Sequence, residues 1–358
     1  GLLYLPFFLH GSNAVTLPSL LQEVLISNPD LAATKKRIEA AEFAEKSART
    51  LDDPRFVFLR HTQRFKWATP GSFTPRTRYT VDQAIPFPGT LSLRGKVEKQ
   101  EVEFLKSANL STKQDLILET KRLFFTLYYN RMELKINEGK NLAINNLKEM
   151  TEDLYKKDKK RFSEAVEGQV ETRQLINEQI QVEKNYRHIL AMLSVLLNKE
   201  KPEEVTLSKV EFTPKVSFNP AELERLSYEN NPEVQGLEAR IQGQKYRADL
   251  VKQECLPTFI LGGRFDHNLG TPDTAWGVQI GMHVPLWIPW KQKRDHQRAK
   301  ALAGAFQDDL LSMQASLRGQ IHTTLASLKE LDKRILLLYD ETIPRAKLRL
   351  RTEKRSEE

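Results

Sequence analysis

The residues able to do chemistry are few and scattered. His61, His267 and His283 fall on segments expected to be strands, His188 and His322 on expected helices, and His296 near the start of one. A zinc-type site needs three or four nitrogen, sulfur or carboxylate ligands at short spacing. None of these histidines stands four residues from another, and no carboxylate cluster completes a set, so neither metal nor cofactor is expected. His267 beside Asp266 has two readings, a ligand pair at an exposed mouth or a solvated loop. Ser, His and Asp are all present but in no nucleophile-elbow context, and there is no phosphate-binding glycine loop. Gly262-Gly263 reads instead as a strand position of close packing. Cys255, the only cysteine, excludes an internal disulfide or a cysteine zinc site and reads as a buried or half-buried thiol. No enzyme is expected.

The chain carries 55 Lys and Arg against 47 Asp and Glu, a formal charge of +8. Such an excess points to nucleic acid only where it clusters. The one dense run is Lys156, Lys157, Lys159, Lys160 and Arg161, followed by Phe162; elsewhere Glu and Lys interleave as on solvated helix faces. No nucleic-acid partner is expected, and the run reads either as a contact surface at the tip of a helical hairpin or as a solvated loop.

These residues must be positioned by elements, and the composition bounds which. Hydrophobic residues make up 40% and charged residues 28% of the 358, which excludes wholesale disorder. No stretch reaches the roughly 18 consecutive apolar residues of a membrane-spanning helix, a test that leaves a β-barrel open. Residues 1–14, apolar and then small up to Ser12-Asn13-Ala14, read as the remnant of a secretory signal peptide, with the fold beginning near Val15.

No proline occurs between Pro88 and Pro202, or between Pro289 and Pro344. Proline removes a helix hydrogen bond and clashes with the preceding turn, so these Leu-, Glu-, Lys- and Gln-rich tracts are where long helices belong. Leu175, Val182, Ile189 and Leu196 recur every seven residues with Tyr186 and Leu193 beside them. In the second tract Ile321, Leu328 and Ile335 do the same, alongside Leu310, Leu317, Leu331 and Leu338. This spacing marks helices packed along their length. A helix from Leu91 to about Glu138 would span roughly 70 Å, so an elongated molecule is expected. The first tract must turn, best within Lys156 to Ser163, with a smaller break at Gly139.

The chain also repeats itself. Leu20, Asn28-Pro29, Arg37-Ile38, Pro54 and Phe56 return at one constant offset as Leu223, Asn231-Pro232, Arg240-Ile241, Pro257 and Phe259. Gln83-Ala84-Ile85-Pro86-Phe87 precedes one long helix and Met282-His283-Val284-Pro285-Leu286 the other, so each half reads as helix, strand, strand, long helix. On the last strand Trp276, Val278, Ile280, Met282 and Val284 alternate with small or polar residues. One apolar face suits a half-buried sheet or lipid-facing barrel strands. Four strands are too few to close a transmembrane barrel, so further copies must supply the rest.

A secreted start, duplicated halves, two strand pairs and long heptad helices together resemble the outer-membrane efflux proteins, the TolC-like channels. The carrying segments are Tyr79 to Lys96, its counterpart Gly277 to Trp287, the turns at Asn28 and Asn231, and Tyr155 onward into Val166 to Leu175. The resemblance covers Thr16 to Arg349, and Pro86-Phe87-Pro88-Gly89 is most similar to the heavy-metal and cation efflux branch. It implies a fold that is mainly α with a small β part: long coiled-coil hairpins in two repeats plus four barrel strands per chain, a trimeric α/β-barrel. It implies a passive exit duct in the outer membrane of a Gram-negative bacterium, extending into the periplasm. The partners implied are two further copies, outer-membrane lipid, a periplasmic adaptor and an inner-membrane pump for heavy-metal cations or drugs.

On this reading residues 15–201 form the first repeat, with strands at 55–65 and 79–87 and a hairpin over 91–198. Residues 202–220 are a linker. Residues 221–358 form the second repeat, with strands at 257–269 and 275–287 and a long helix from 291. The second repeat is expected to be cut short, because the family's second hairpin tip and returning helix do not follow Pro344. Trp276, Val278, Ile280, Met282 and Val284 would face lipid, Trp287 and Trp290 would join an interfacial aromatic girdle or pack at the barrel-to-helix junction, and Lys156 to Phe162 would meet the adaptor. The competing reading is a soluble or periplasmic coiled-coil scaffold, which the Trp276 to Leu286 alternation and the export signal disfavour.

Overall fold

The computed structural model describes residues 15–61, 76–157, 162–201, 218–268 and 274–357. Residues 1–14, the expected signal remnant, lie outside them, as do Lys159, Lys160 and Arg161 of the basic run.

Two Asn-Pro steps build matching helix pairs. Helix α1 (Leu17–Ser27) opens on a reciprocal cap, Thr16 Oγ1 accepting from the Ser19 amide at 3.4 Å while the Thr16 amide donates to Ser19 Oγ at 3.2 Å. It stops at Asn28, whose carboxamide oxygen accepts from the amides of Asp30 (3.0 Å) and Leu31 (3.3 Å) and so starts α2 (Pro29–Ala48). In the second half α5 (Pro220–Asn230) stops at Asn231, which accepts from Glu233 (2.8 Å) and Val234 (3.4 Å) to start α6 (Pro232–Gln253). Proline at the first helical position suits both steps, because its missing N–H would have no partner there. The one helix expected ahead of each strand pair is thus two.

Strands β1 (Arg55–His61) and β2 (Arg76–Ile85) follow the first pair, β3 (Thr258–Asn268) and β4 (Thr274–His283) the second. They form one antiparallel sheet in the order β1-β2-β3-β4. β4 ends four residues before the expected 287 because Pro285 has no N–H for a ladder, and the chain turns over 286–291. β2 ends at Ile85 for the same reason at Pro86, and Gly89, at φ +95°, takes the left-handed turn into the next helix.

That helix, α3 (Thr90–Lys157), runs unbroken through Gly139, where a break was expected. One glycine costs a helix interior only about 1 kcal/mol, which packing along the helix outweighs. α4 (Phe162–Leu196) follows it and packs against α1 and α3, while residues 158–161 of the window Lys156 to Ser163, where a turn was expected, lie outside the described residues. α7 (Gln292–Leu337) continues through one wide turn, Leu338–Thr342, into α8 (Ile343–Glu357). There the Ile343 amide reaches back five residues to the Leu338 carbonyl, and Pro344, with no N–H, follows it.

The chain forms two compact units: Gly1–Lys35 with Asn109–Lys215, drawn from the first repeat and the linker, and Lys36–Ala108 with Val216–Glu358, which combines parts of both repeats. The first has a conventional core. Leu20 and Val24 of α1 and Leu31 of α2 pack with Leu116, Leu123, Phe124 and Leu127 of α3 and Ile189, Leu190, Leu193 and Leu197 around the end of α4. The first heptad series is therefore a seam, with Leu175 and Val182 also buried. In the second unit α6 and α7 approach through small side chains, Ala239, Ala248, Ala299 and Ala303 being buried. The Arg240 guanidinium lies 3.9 Å from the Phe104 ring centre and 5.6 Å from that of Phe306, tying α6 to α3 and α7.

Candidate functional site: the two faces of the sheet

The register assigns every strand residue to a face. Phe58 pairs with Tyr79, Tyr79 with Phe265 and Phe265 with Trp276; one step on, Val81 pairs with Gly263 and Gly263 with Val278. Leu261 sits opposite Ile280 and Phe259 opposite Met282. All five residues expected to face lipid, Trp276, Val278, Ile280, Met282 and Val284, are exposed, Trp276 at 84% and Ile280 at 80%; Val284 lies just past the end of β4. Phe56, Phe58, Val81, Leu261 and Phe265 extend the same face, with aromatic contacts from Phe58 to Tyr79 (5.3 Å) and Tyr79 to Phe265 (6.2 Å). At the helix end, Trp287 and Trp290 are exposed and meet edge to face at 5.7 Å.

The opposite face is polar and carries most of the charge, Arg60 near the end of β1 being the charged residue on the apolar side. Asp266, only 4% exposed, accepts from Arg78 Nε at 2.8 Å and pairs with a terminal nitrogen of Arg264 at 3.0 Å. Arg76 Nε donates to Asn268 Oδ1 at 3.1 Å. Asp266 stands within β3, inside the strand expected at 257–269 and not in a solvated loop, across from Arg78 in the β2–β3 register, and two guanidiniums compensate the carboxylate. The sequence signal was present, since β2 alternates Arg76, Arg78, Thr80 and Asp82, yet only the register brings those arginines to β3. Gly262 faces the Asp82 carboxylate so closely that a Cβ would collide with it, whereas Gly263, on the apolar face, has open space. Asp82 Oδ1 is buried without a hydrogen-bond partner among the described residues.

The other candidates are dispersed. His267 and His283 lie on β3 and β4, and His296 Nδ1 is 3.0 Å from the Ala248 carbonyl. His322 Nε2 lies 3.1 Å from Glu224, which also pairs with Arg318 at 3.5 Å. Among the described residues, no three His, Cys, Asp or Glu side chains converge as metal ligands. Cys255 is half-buried, its thiol directed at the Val251 carbonyl. A groove of about 750 Å³ between α3, α6 and α7 carries both signs of charge, from Glu98, Glu101 and Asp295 to Arg240, Arg247 and Arg298. Of the basic run, Lys156 and Lys157 end α3 and Phe162 begins α4. No described helix is long and apolar enough to cross a membrane.

No protein-family model and no curated protein matches the sequence. Solved structures do match. The outer-membrane channel OprN superposes with a TM-score of 0.76 at 16% identity, over 92% of this chain and 78% of that one. The outer membrane protein VceC of Vibrio cholerae gives 0.74 at 13%, over 95% and 85%. The open-state MtrE outer membrane channel of Neisseria gonorrhoeae gives 0.67 at 14%, over 95% and 79%. Identities this low speak for the fold alone: mostly helical, with one four-stranded antiparallel sheet among the described residues, the chain has the TolC-like α/β-barrel fold of these channels.

Proposed function

We propose that the chain is one protomer of an outer-membrane exit duct, a homotrimer whose sheets join edge to edge into one barrel continued into the periplasm by the helices. The observation that carries this reading is the sheet with one exposed apolar face, broken only by Arg60 near one end of β1, and most of its charge on the other side. In water such a surface is a liability, and in lipid it is the ordinary state of a barrel strand. The free edges of β1 and β4 require partners there, since unpaired backbone is costly in hydrocarbon, and two further copies supply them. A soluble scaffold gives no use for this face.

The duct performs no chemistry. An inner-membrane pump supplies the energy, an adaptor joins pump to duct, and the protein provides a water-filled path for efflux of drugs or metal species. The turn between α3 and α4 is the adaptor contact in this reading, through Lys156, Lys157, Lys159, Lys160, Arg161 and Phe162. Packed helices can slide with little loss of buried area, so this tip is also the place for a gate.

The test is extraction and mass. The protein should leave membranes only in detergent and run as a trimer that dissociates on heating; a soluble monomer would remove the duct reading. Charge reversal at Lys157, Lys159 and Lys160 should abolish adaptor capture and transport, and unaltered transport would place the contact elsewhere.

A further inference from the structure

We infer that the polar face of the sheet forms an anion-attracting collar at the outer end of the duct, built from Arg76, Arg78 and Arg264, favouring solutes with carboxylate or phosphate groups over free cations. The inference rests on the duct reading and adds the charge class of what passes.

Placement comes first. β2 starts at Arg76 and β3 ends at Asn268, at the end of the sheet carrying the β1–β2 and β3–β4 connections; the helices α3, α6 and α7 join the strands at the opposite end. With the helices in the periplasm, the arginines lie toward the cell exterior. Register then fixes their face. Arg78 is paired with Asp266, and Arg264 with Thr80 and Gly277, so all three arginines alternate away from Tyr79, Phe265 and Trp276. If that apolar row faces lipid, the arginines face the lumen.

Orientation makes the cluster more than a tally of charge. Asp266 spends its two oxygens on two guanidiniums, at 2.8 and 3.0 Å, and Asn268 holds the third at 3.1 Å. Each contact uses one donor of a rigid five-donor fork, leaving the others to solvent, and the side chains of Arg78 and Arg264 stay 29% and 43% exposed. The buried carboxylate thus acts as a template holding two cationic forks side by side. On β4 the facing positions are Ala275 and Gly277, too small to cover them. Against the three guanidiniums stand Asp266 and, one same-face pair further in, Asp82, itself opposite Arg55, so the face stays positive, and three chains would repeat it around one ring. Rings of arginine are a general means of favouring anions in a pore, and the effect fades as ionic strength shortens the screening length. Free metal cations are the poorest cargo for such a collar, so a metal would pass best as an anionic complex.

The experiment is reversal potential in planar lipid bilayers, with the detergent-extracted protein and a KCl gradient at low ionic strength. The native protein should pass chloride in preference to potassium, and inositol hexakisphosphate should block current from the connection side only. Arg76→Gln, whose partner Asn268 is neutral, should lower the chloride preference. The triple change Arg78→Gln, Arg264→Gln and Asp266→Asn, which strands no buried charge, should abolish sided block or weaken it roughly tenfold, as expected for lost charge-assisted contacts. Potassium preference in the native protein, or a preference and block unchanged in both variants, overturns the collar while leaving the duct intact. Absence of any conductance from a detergent-soluble trimer overturns both.

Discussion

Leu127 and Ile280 are aliphatic side chains on regular elements of one chain, and they meet opposite surroundings. Leu127 is 1% exposed, locked among α1, α3 and α4, while Ile280 projects from β4 with most of its surface free. The charges invert in step, for in the sheet it is Asp266 that is buried. On the proposed duct reading each region is ordinary once the solvent outside it is named: water around the helical core, hydrocarbon around the sheet. The comparison is broken first at Leu127. Leu127→Ala removes methyl groups from a filled core and leaves a cavity, so it should cost about 4 kcal/mol. Urea unfolding of the detergent-solubilised protein, followed by circular dichroism, measures this.

The sheet is sharpened by a pair of variants one residue apart. Ile280→Lys places a cation on the apolar face near mid-strand, which should cost about 3 kcal/mol if lipid lies there. Gln279→Lys places the same cation on the polar face and should cost less than about 0.5 kcal/mol. The readout is the heat-dissociable band after refolding into lipid vesicles. Equal tolerance of both lysines would mean that the apolar face does not meet hydrocarbon.

Sequence legibility followed the same divide. The apolar face could be read because strand alternation is local: Trp276, Val278, Ile280 and Met282 declare one face without reference to any partner. The α4 seam was equally legible, since Leu175, Val182, Ile189 and Leu193 carry their period in the sequence and are all buried. The same period on α7 misleads within a single chain, where Leu328, Leu331, Ile335 and Leu338 are exposed. Periodicity specifies a stripe and does not say what covers it. The arginine cluster was invisible for a third reason. Arg78 and Asp266 lie far apart in sequence, and their pairing depends on a β2–β3 register that nothing local dictates, so Asp266 could be placed on a strand without its partners being read.

The smallest expected effect separates the two Asn-Pro turns, which look interchangeable in sequence. Both asparagines cap the following helix with the side-chain oxygen, and losing a cap alone costs about 1 kcal/mol. Asn28 is buried as well, and its Nδ2 donates to the Leu196 carbonyl at 3.2 Å, near the end of α4. The residue that starts α2 therefore also satisfies a carbonyl that α4 leaves open at its terminus. Asn28→Ala should cost about 2 kcal/mol and Asn231→Ala about 1, the excess being that second, buried bond. Asn28→Asp keeps the capping oxygen while removing the donor, so it should recover the cap in α2 and still lose the tie to α4. Equal losses for the two alanine variants in the same unfolding experiment would reduce Asn28 to a cap alone, and the repeat would be symmetrical in energy as well as in sequence.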